Sequence, residues 1–135
     1  MIQRIQSIWL LLAGLTMLLL LILPTVTLPA DAPEMAKPSN FLLIGILITG
    51  FLNLVNIFSF KNRGIQKKLI VLALVLTIGI CGWIFMDIQT LPGELEGIKP
   101  SIGAFMPLLS IICLALAHRG IRMDEQLLRS ADRLR

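Results

Sequence analysis

Eight residues separate two long apolar runs, 41–60 and 69–85, and four of the eight are basic: Lys61, Arg63, Lys67 and Lys68. Each run is long enough as a helix to cross a hydrocarbon core of ~30 Å. Two such runs this close together do not fit the core of a soluble domain. The segment 61–68 therefore predicts a loop between two membrane-spanning helices. Its positive charge assigns it to the cytoplasmic side, because cytoplasmic loops carry the excess of Lys and Arg. Composition agrees, since 56% of the 135 residues are hydrophobic and the mean hydropathy of +0.88 excludes an ordinary globular chain.

The other spans follow by the same argument. Residues 5–23 are apolar apart from Gln6, Ser7, Gly14 and Thr16, which makes about 28 Å of helix. The run exceeds the apolar region of a signal peptide, so it reads as a span although Ala30, Asp31 and Ala32 resemble a cleavage site. Pro24, Pro29, Pro33 and Pro38 then predict an extended surface loop, with Ser39 or Asn40 as the cap of the next helix. Spans at 41–60 and 69–86 lead to an acidic loop with Glu94 and Glu96, and Ser101 opens a fourth span, 101–117, mildly kinked at Pro107. The expected fold is an all-α integral membrane bundle of four helices in up-down-up-down order over residues 1–117. An amphipathic cytoplasmic tail, 118–135, follows it.

Ten of the twelve Lys and Arg fall at Arg4, within 61–68, or from Arg119 onward. Lys37 and Lys99 lie in the other two loops, beside Asp31, Glu34, Asp87, Glu94 and Glu96. That asymmetry puts both termini in the cytoplasm and reads the net charge of +4 as topology, not as a nucleic-acid surface. Every span also carries a seam at 3.5-residue spacing, as left-handed helix packing requires. The seams are Ser7, Leu10, Gly14, Met17 and Leu21 in the first span, and Gly45, Thr49, Leu52, Asn56 and Ser59 in the second, with Asn53 beside the line. They continue as Ile70, Ala73, Thr77, Ile80 and Ile84 in the third, and Gly103, Met106, Ser110, Cys113 and Ala117 in the fourth. Gly45, Thr49, Asn53, Asn56, Thr77, Gly103 and Ser110 are thus the expected bundle-packing residues, with the two amides bonding between helices. Cys81 and Cys113 differ in depth by ~10 Å and read as packing residues, not as a disulfide.

In the tail, Glu125 and Arg129 stand in the favourable i,i+4 order, and Leu127, Leu128, Ala131 and Leu134 form an apolar stripe. An amphipathic helix is expected, with Gly120 as the place for a bend. Lying on an anionic leaflet, it would set its arginines at the headgroups; docked on a protein, it would use its mixed charges as directional ion pairs. The residues expected to meet lipid or a partner are Lys61, Arg63, Lys67, Lys68, Arg119, Arg122, Leu127, Leu128, Arg129 and Arg133.

The chain resembles the small four-span bacterial membrane proteins of domain-of-unknown-function family 4293, found in Bacteroidota. The resemblance rests on Met1-Ile2-Gln3-Arg4-Ile5-Gln6-Ser7, on Phe60-Lys61-Asn62-Arg63 with Ile65-Gln66, and on two stretches of the tail. Those are Arg119-Gly120-Ile121-Arg122-Met123-Asp124-Glu125 and Arg129-Ser130-Ala131-Asp132-Arg133-Leu134-Arg135. It implies four spans and a bacterial inner membrane, and it brings no activity.

No catalytic or metal-binding constellation is legible. His118, Asp124 and Glu125 are close in sequence but have no nucleophile beside them. The expectation is a non-enzymatic accessory or partner-binding subunit of a larger inner-membrane complex, without metal or cofactor. Its partners would be membrane lipid and other membrane subunits or copies of itself. The alternative is an oligomeric transporter, channel or lipid-handling protein in which Asn53 and Asn56 line a polar path. Coupled transport usually needs an ionisable group inside the membrane, and Asp87 and His118 stand only at the borders.

Overall fold

The computed structural model describes residues 2–27, 39–59, 62–90 and 99–134. Phe60, Lys61, Arg135 and most of the two loops expected at 24–39 and 89–100 lie outside these residues. Four helices make up the fold: α1 (Ile2–Leu19), α2 (Asn40–Phe58), α3 (Arg63–Thr90) and α4 (Ile102–Arg133). α1 and α3 each pack on both α2 and α4, so the ring closes between α4 and α1. α1 runs antiparallel to α2, with Gly14 near Asn53 and Leu18 near Gly50, and antiparallel to α4, with Gln6 near Gly120 and Ala13 near Ser110. Three of them, α2 to α4, are long and apolar enough to cross a membrane, while the apolar part of α1, Ile5–Leu19, is shorter. The fold is an all-α membrane bundle, in which each helix satisfies its own backbone.

Three boundaries differ from the sequence expectation. α1 stops being α-helical at Leu19, and residues 20–22 continue as a tighter turn with N–H to carbonyl bonds from Leu20 to Met17 and from Leu21 to Leu18. The tightening changes the phase of the helix, so Leu20 is buried and Leu21, expected in the seam, is exposed. α3 begins at Arg63, not after Lys68, so most of the expected basic loop is the first two turns of that helix. α4 runs through Gly120 without a break, and the tail is its continuation, not a helix set off by a bend.

Gly120 is a packing residue. A Cβ there would come within 3.1 Å of Cγ of Gln6 on α1, so its missing side chain lets the two helices approach. At the opposite end β1 (Val26–Thr27) pairs antiparallel with β2 (Lys99–Pro100), Val26 facing Pro100, and the Ser101 N–H donates to the Thr25 carbonyl at 3.1 Å. The prolines predicted extended chain here, but not that the two far-side connections pair. Ser39 caps α2, its Oγ accepting the Leu42 N–H at 3.4 Å.

The interior has two apolar clusters. One, toward the basic end, centres on Leu10, Ile70, Leu114 and Ile121; the other gathers Met17, Leu42, Ile46, Ile80 and Ile84. On α1 and α3 a buried threonine stands between the two clusters, Thr16 and Thr77, and α2 and α4 bring buried Thr49 and Ser110. Burying these hydroxyls requires a hydrogen bond for each. Thr16, Thr49 and Thr77 donate to carbonyls of their own helices, while Ser110 Oγ donates across to the Ala13 carbonyl of α1 at 3.2 Å.

Candidate interaction site at the basic end

The α2–α3 connection, the start of α1 and the end of α4 lie together at one end of the bundle. Among the described residues, two ion pairs join α3 to α4 there. Arg63 Nη2 stands 2.9 Å from Asp124 Oδ2, and Lys67 Nζ is 2.7 Å from Glu125 Oε1. Lys67 also donates to Glu125 Oε2 at 2.8 Å. The spacing is matched: residues 63 and 67 are one turn apart on α3, and adjacent acids on α4 meet them. The hydrogen bond from Lys67 holds the Glu125 carboxyl below its ordinary range, with the charges of Lys67, Arg129 and Arg63 acting in the same direction against partial desolvation. Glu125 therefore reaches across to α3, where the sequence had paired it with Arg129.

These contacts explain why a helix starts among cations. Positive side chains oppose the dipole at a helix N-terminus, and the two carboxylates of α4 supply the compensating charge. Lys68, Arg119 and Arg122 make no ion pair among the described residues, and Lys68, Arg119 and Arg122 are exposed. Gln6 and Gln66, missed as interior residues, are buried close to this end at 5% exposure each. A signal was present, since a glutamine within an apolar periodicity marks the protein-facing side of a membrane helix.

Beyond the ion pairs α4 leaves the bundle. Ile121 is its last buried residue, Asp124 and Glu125 are half-buried, and residues 126–134 are exposed. Leu127, Leu128 and Leu134 keep 55%, 51% and 90% of their surface exposed. At 100° per residue, Leu127, Ala131 and Leu134 share one face while Arg122, Arg129 and Arg133 share the opposite one.

The residues assigned to bundle packing are distributed as follows. Thr49, Asn53, Asn56, Thr77, Gly103 and Ser110 are buried, and Gly45 is half-buried beside Ile80. The buried line of α2 is Leu42, Ile46, Thr49, Asn53 and Asn56, so Asn53 lies on the seam and Leu52 and Ser59 are only half-buried. The interhelical bonding expected of the two amides is not there: neither Asn53 nor Asn56 makes a side-chain hydrogen bond to the described residues. Cys81 and Cys113 are both free thiols. Phe41 and Trp83 meet at the far end, ring centroids 4.9 Å apart.

The family model described as Domain of unknown function (DUF4293) matches residues 2–134, so the chain belongs to that family. No curated protein and no solved structure matches the chain.

Proposed function

We propose that this family member is a non-enzymatic subunit of a bacterial inner-membrane complex, which presents the end of α4 to a protein partner at the cytoplasmic face. The single observation that carries the reading is the unbroken passage of α4 from the bundle into its exposed end. A helix of 32 residues is ~48 Å long, against a hydrocarbon core of ~30 Å. The surplus cannot lie flat on the headgroups without a bend, and Gly120, where a bend was expected, is packed on Gln6. This geometry favours a docking role for the tail over an interfacial one.

The root of the projecting segment is fixed by the Arg63–Asp124 and Lys67–Glu125 pairs. Pre-ordering a helix removes part of the entropy lost on binding. The partner surface that fits is an apolar groove for Leu127 and Leu134, bordered by carboxylates for Arg129 and Arg133. The orientation rests on the clustering of basic residues at this end. A polar path through one copy has less support, because Asn53 and Asn56 are fully enclosed by the bundle.

The test removes residues 126–135, sparing both ion pairs, and separately places a charge on the stripe with Leu127→Glu. Both variants should insert and fold as the parent does, yet lose the complex that co-purifies stoichiometrically with full-length protein from native membranes in mild detergent. Retention of the same complex by both variants would overturn the proposal.

A further inference from the structure

At the basic end α3 and α4 come together with Ile70, Val71 and Leu74 on one side and Ala115, His118, Arg119 and Arg122 on the other. Between them lies a groove of ≈ 370 Å³. Its floor is apolar, formed by Ile70, Val71, Leu74 and Ala115, and its rim carries His118, Arg119 and Arg122. Because the helices are antiparallel, the change from basic to apolar runs in the same direction on both walls. Leu74 lies seven residues deeper than Lys67, and Ala115 seven deeper than Arg122, ~10 Å along each axis. A second hollow, lined by Gly64, Lys67, Lys68 and Val71, adjoins the first through Val71.

We propose that this groove is a binding site for one anionic phospholipid, its phosphate between Arg119, Arg122 and Lys68 and one acyl chain along Val71, Leu74 and Ala115. Three features select that occupant. First, the charges are available: the carboxylates of Asp124 and Glu125 are already engaged by Arg63 and Lys67, and Lys68, Arg119 and Arg122 have no ion-pair partner among the described residues. Second, guanidinium groups bind phosphate through paired N–H donors, so two arginines one turn apart suit a phosphodiester. Third, the floor opens sideways from the bundle, since Val71 and Ala115 are exposed. A soluble anion has no use for such a floor, whereas an acyl chain fills it. A zwitterionic lipid would bring its own cation to a rim that is already positive. Basic pockets between membrane helices recognise anionic headgroups by this combination. The site is separate from the docking face of α4, whose Leu127 and Leu134 lie beyond it.

The experiment uses full-length protein in mild detergent, with bound lipid counted by native mass spectrometry. The probes are phosphatidylglycerol, phosphatidylcholine with the same acyl chains, and sn-glycerol 3-phosphate as a headgroup without a tail. Phosphatidylglycerol should be retained in preference to phosphatidylcholine, and glycerol phosphate should not displace it. Arg119→Gln with Arg122→Gln should lower retention by roughly tenfold or more, as two cations near a lipid phosphate imply. Arg129→Gln with Arg133→Gln removes the same charge from the projecting end and should leave retention unchanged. Ala115→Phe fills the floor without altering charge and should also reduce retention. All of these positions are exposed, so packing is untouched. Equal retention of the two lipids, equal loss in both double variants, full retention in Ala115→Phe, or displacement by glycerol phosphate would each overturn the site.

Discussion

Adding a single methyl group to this chain should have opposite effects at two glycines. At Gly103, the second residue of α4, a Cβ would collide with the carbonyl oxygen of Pro24, with the carbonyl carbon only 2.9 Å away and the Leu23 oxygen 3.1 Å away. These are backbone atoms, and they cannot move aside as the tip of a side chain does. The proline ring restricts Pro24, and the next residue is tied to α4 by the Ser101–Thr25 hydrogen bond. Overpacking of this kind costs about 1–3 kcal/mol. The helix-propensity gain of alanine over glycine is at most ~1 kcal/mol, and it is least at a helix start. Gly103→Ala should therefore destabilise the bundle. At Gly79, in the middle of α3, nothing lies within 4 Å of an added Cβ. Gly79→Ala should stabilise by roughly 0.5–1 kcal/mol through the backbone entropy term alone. Unfolding in mixed micelles, followed by far-ultraviolet circular dichroism and by the fluorescence of Trp9 and Trp83, measures both changes. A Gly103→Ala variant as stable as the parent would show that the α1–α2 connection yields freely, and the reasoning would fail.

Further expectations concern hydroxyls and acids. Ser110→Ala removes a bond between helices and should cost about 0.5–1 kcal/mol, whereas Thr77→Val removes one to the carbonyl of Ala73 in its own helix and should cost less; a reversed order in micellar unfolding would contradict the assignment. Glu125 has a folded-state affinity for protons below that of its ordinary value of 4.5, so its contribution to anchoring α4 is complete above that pH and is lost as pH falls through the depressed value. The protection of residues 119–129 against hydrogen exchange, taken relative to the intrinsic rate at each pH, should accordingly fall below about pH 4.5. Glu125→Gln should flatten that acid response, and an unchanged profile in the variant would remove Lys67–Glu125 as the anchor.

The apolar part of the buried face of α3 was legible, since Ile70, Ala73, Thr77, Ile80 and Ile84 are all inside, while Gln66 was missed. The buried face of α2 was read correctly at Thr49 and Asn56 and one position off at Gly45 and Leu52, where Ile46 and Asn53 are buried. In a membrane, apolar character does not separate the interior from the lipid side, so only small and polar residues mark the seam. Gly45, Leu52 and Ser59 drew the line away from Leu42, Ile46 and Asn53, which packing selects. The start of α3 was hidden for another reason. A run of cations looks unfavourable at a helix N-terminus until Asp124 and Glu125 are known to face it, and 58 residues separate Lys67 from Glu125. Local rules judge a charge by its sequence neighbours, and here the deciding neighbours are on another helix. The phospholipid groove was hidden likewise: Arg119 and Arg122 were visible as basic residues, but Val71, Leu74 and Ala115 read only as span.

The unbroken α4 has a mechanical consequence. Its projecting end at Leu127 and its seat against Pro24 at Gly103 lie on one continuous helix, with Pro107 one turn from the seat. A displacement of the exposed turns would be carried along this backbone toward the opposite end of the bundle. It arrives where the two far-side connections are stitched by Val26 and Pro100. The chain thus has the construction of a lever, clamped near one end by the Arg63 and Lys67 pairs and bearing at the other on the connection between α1 and α2.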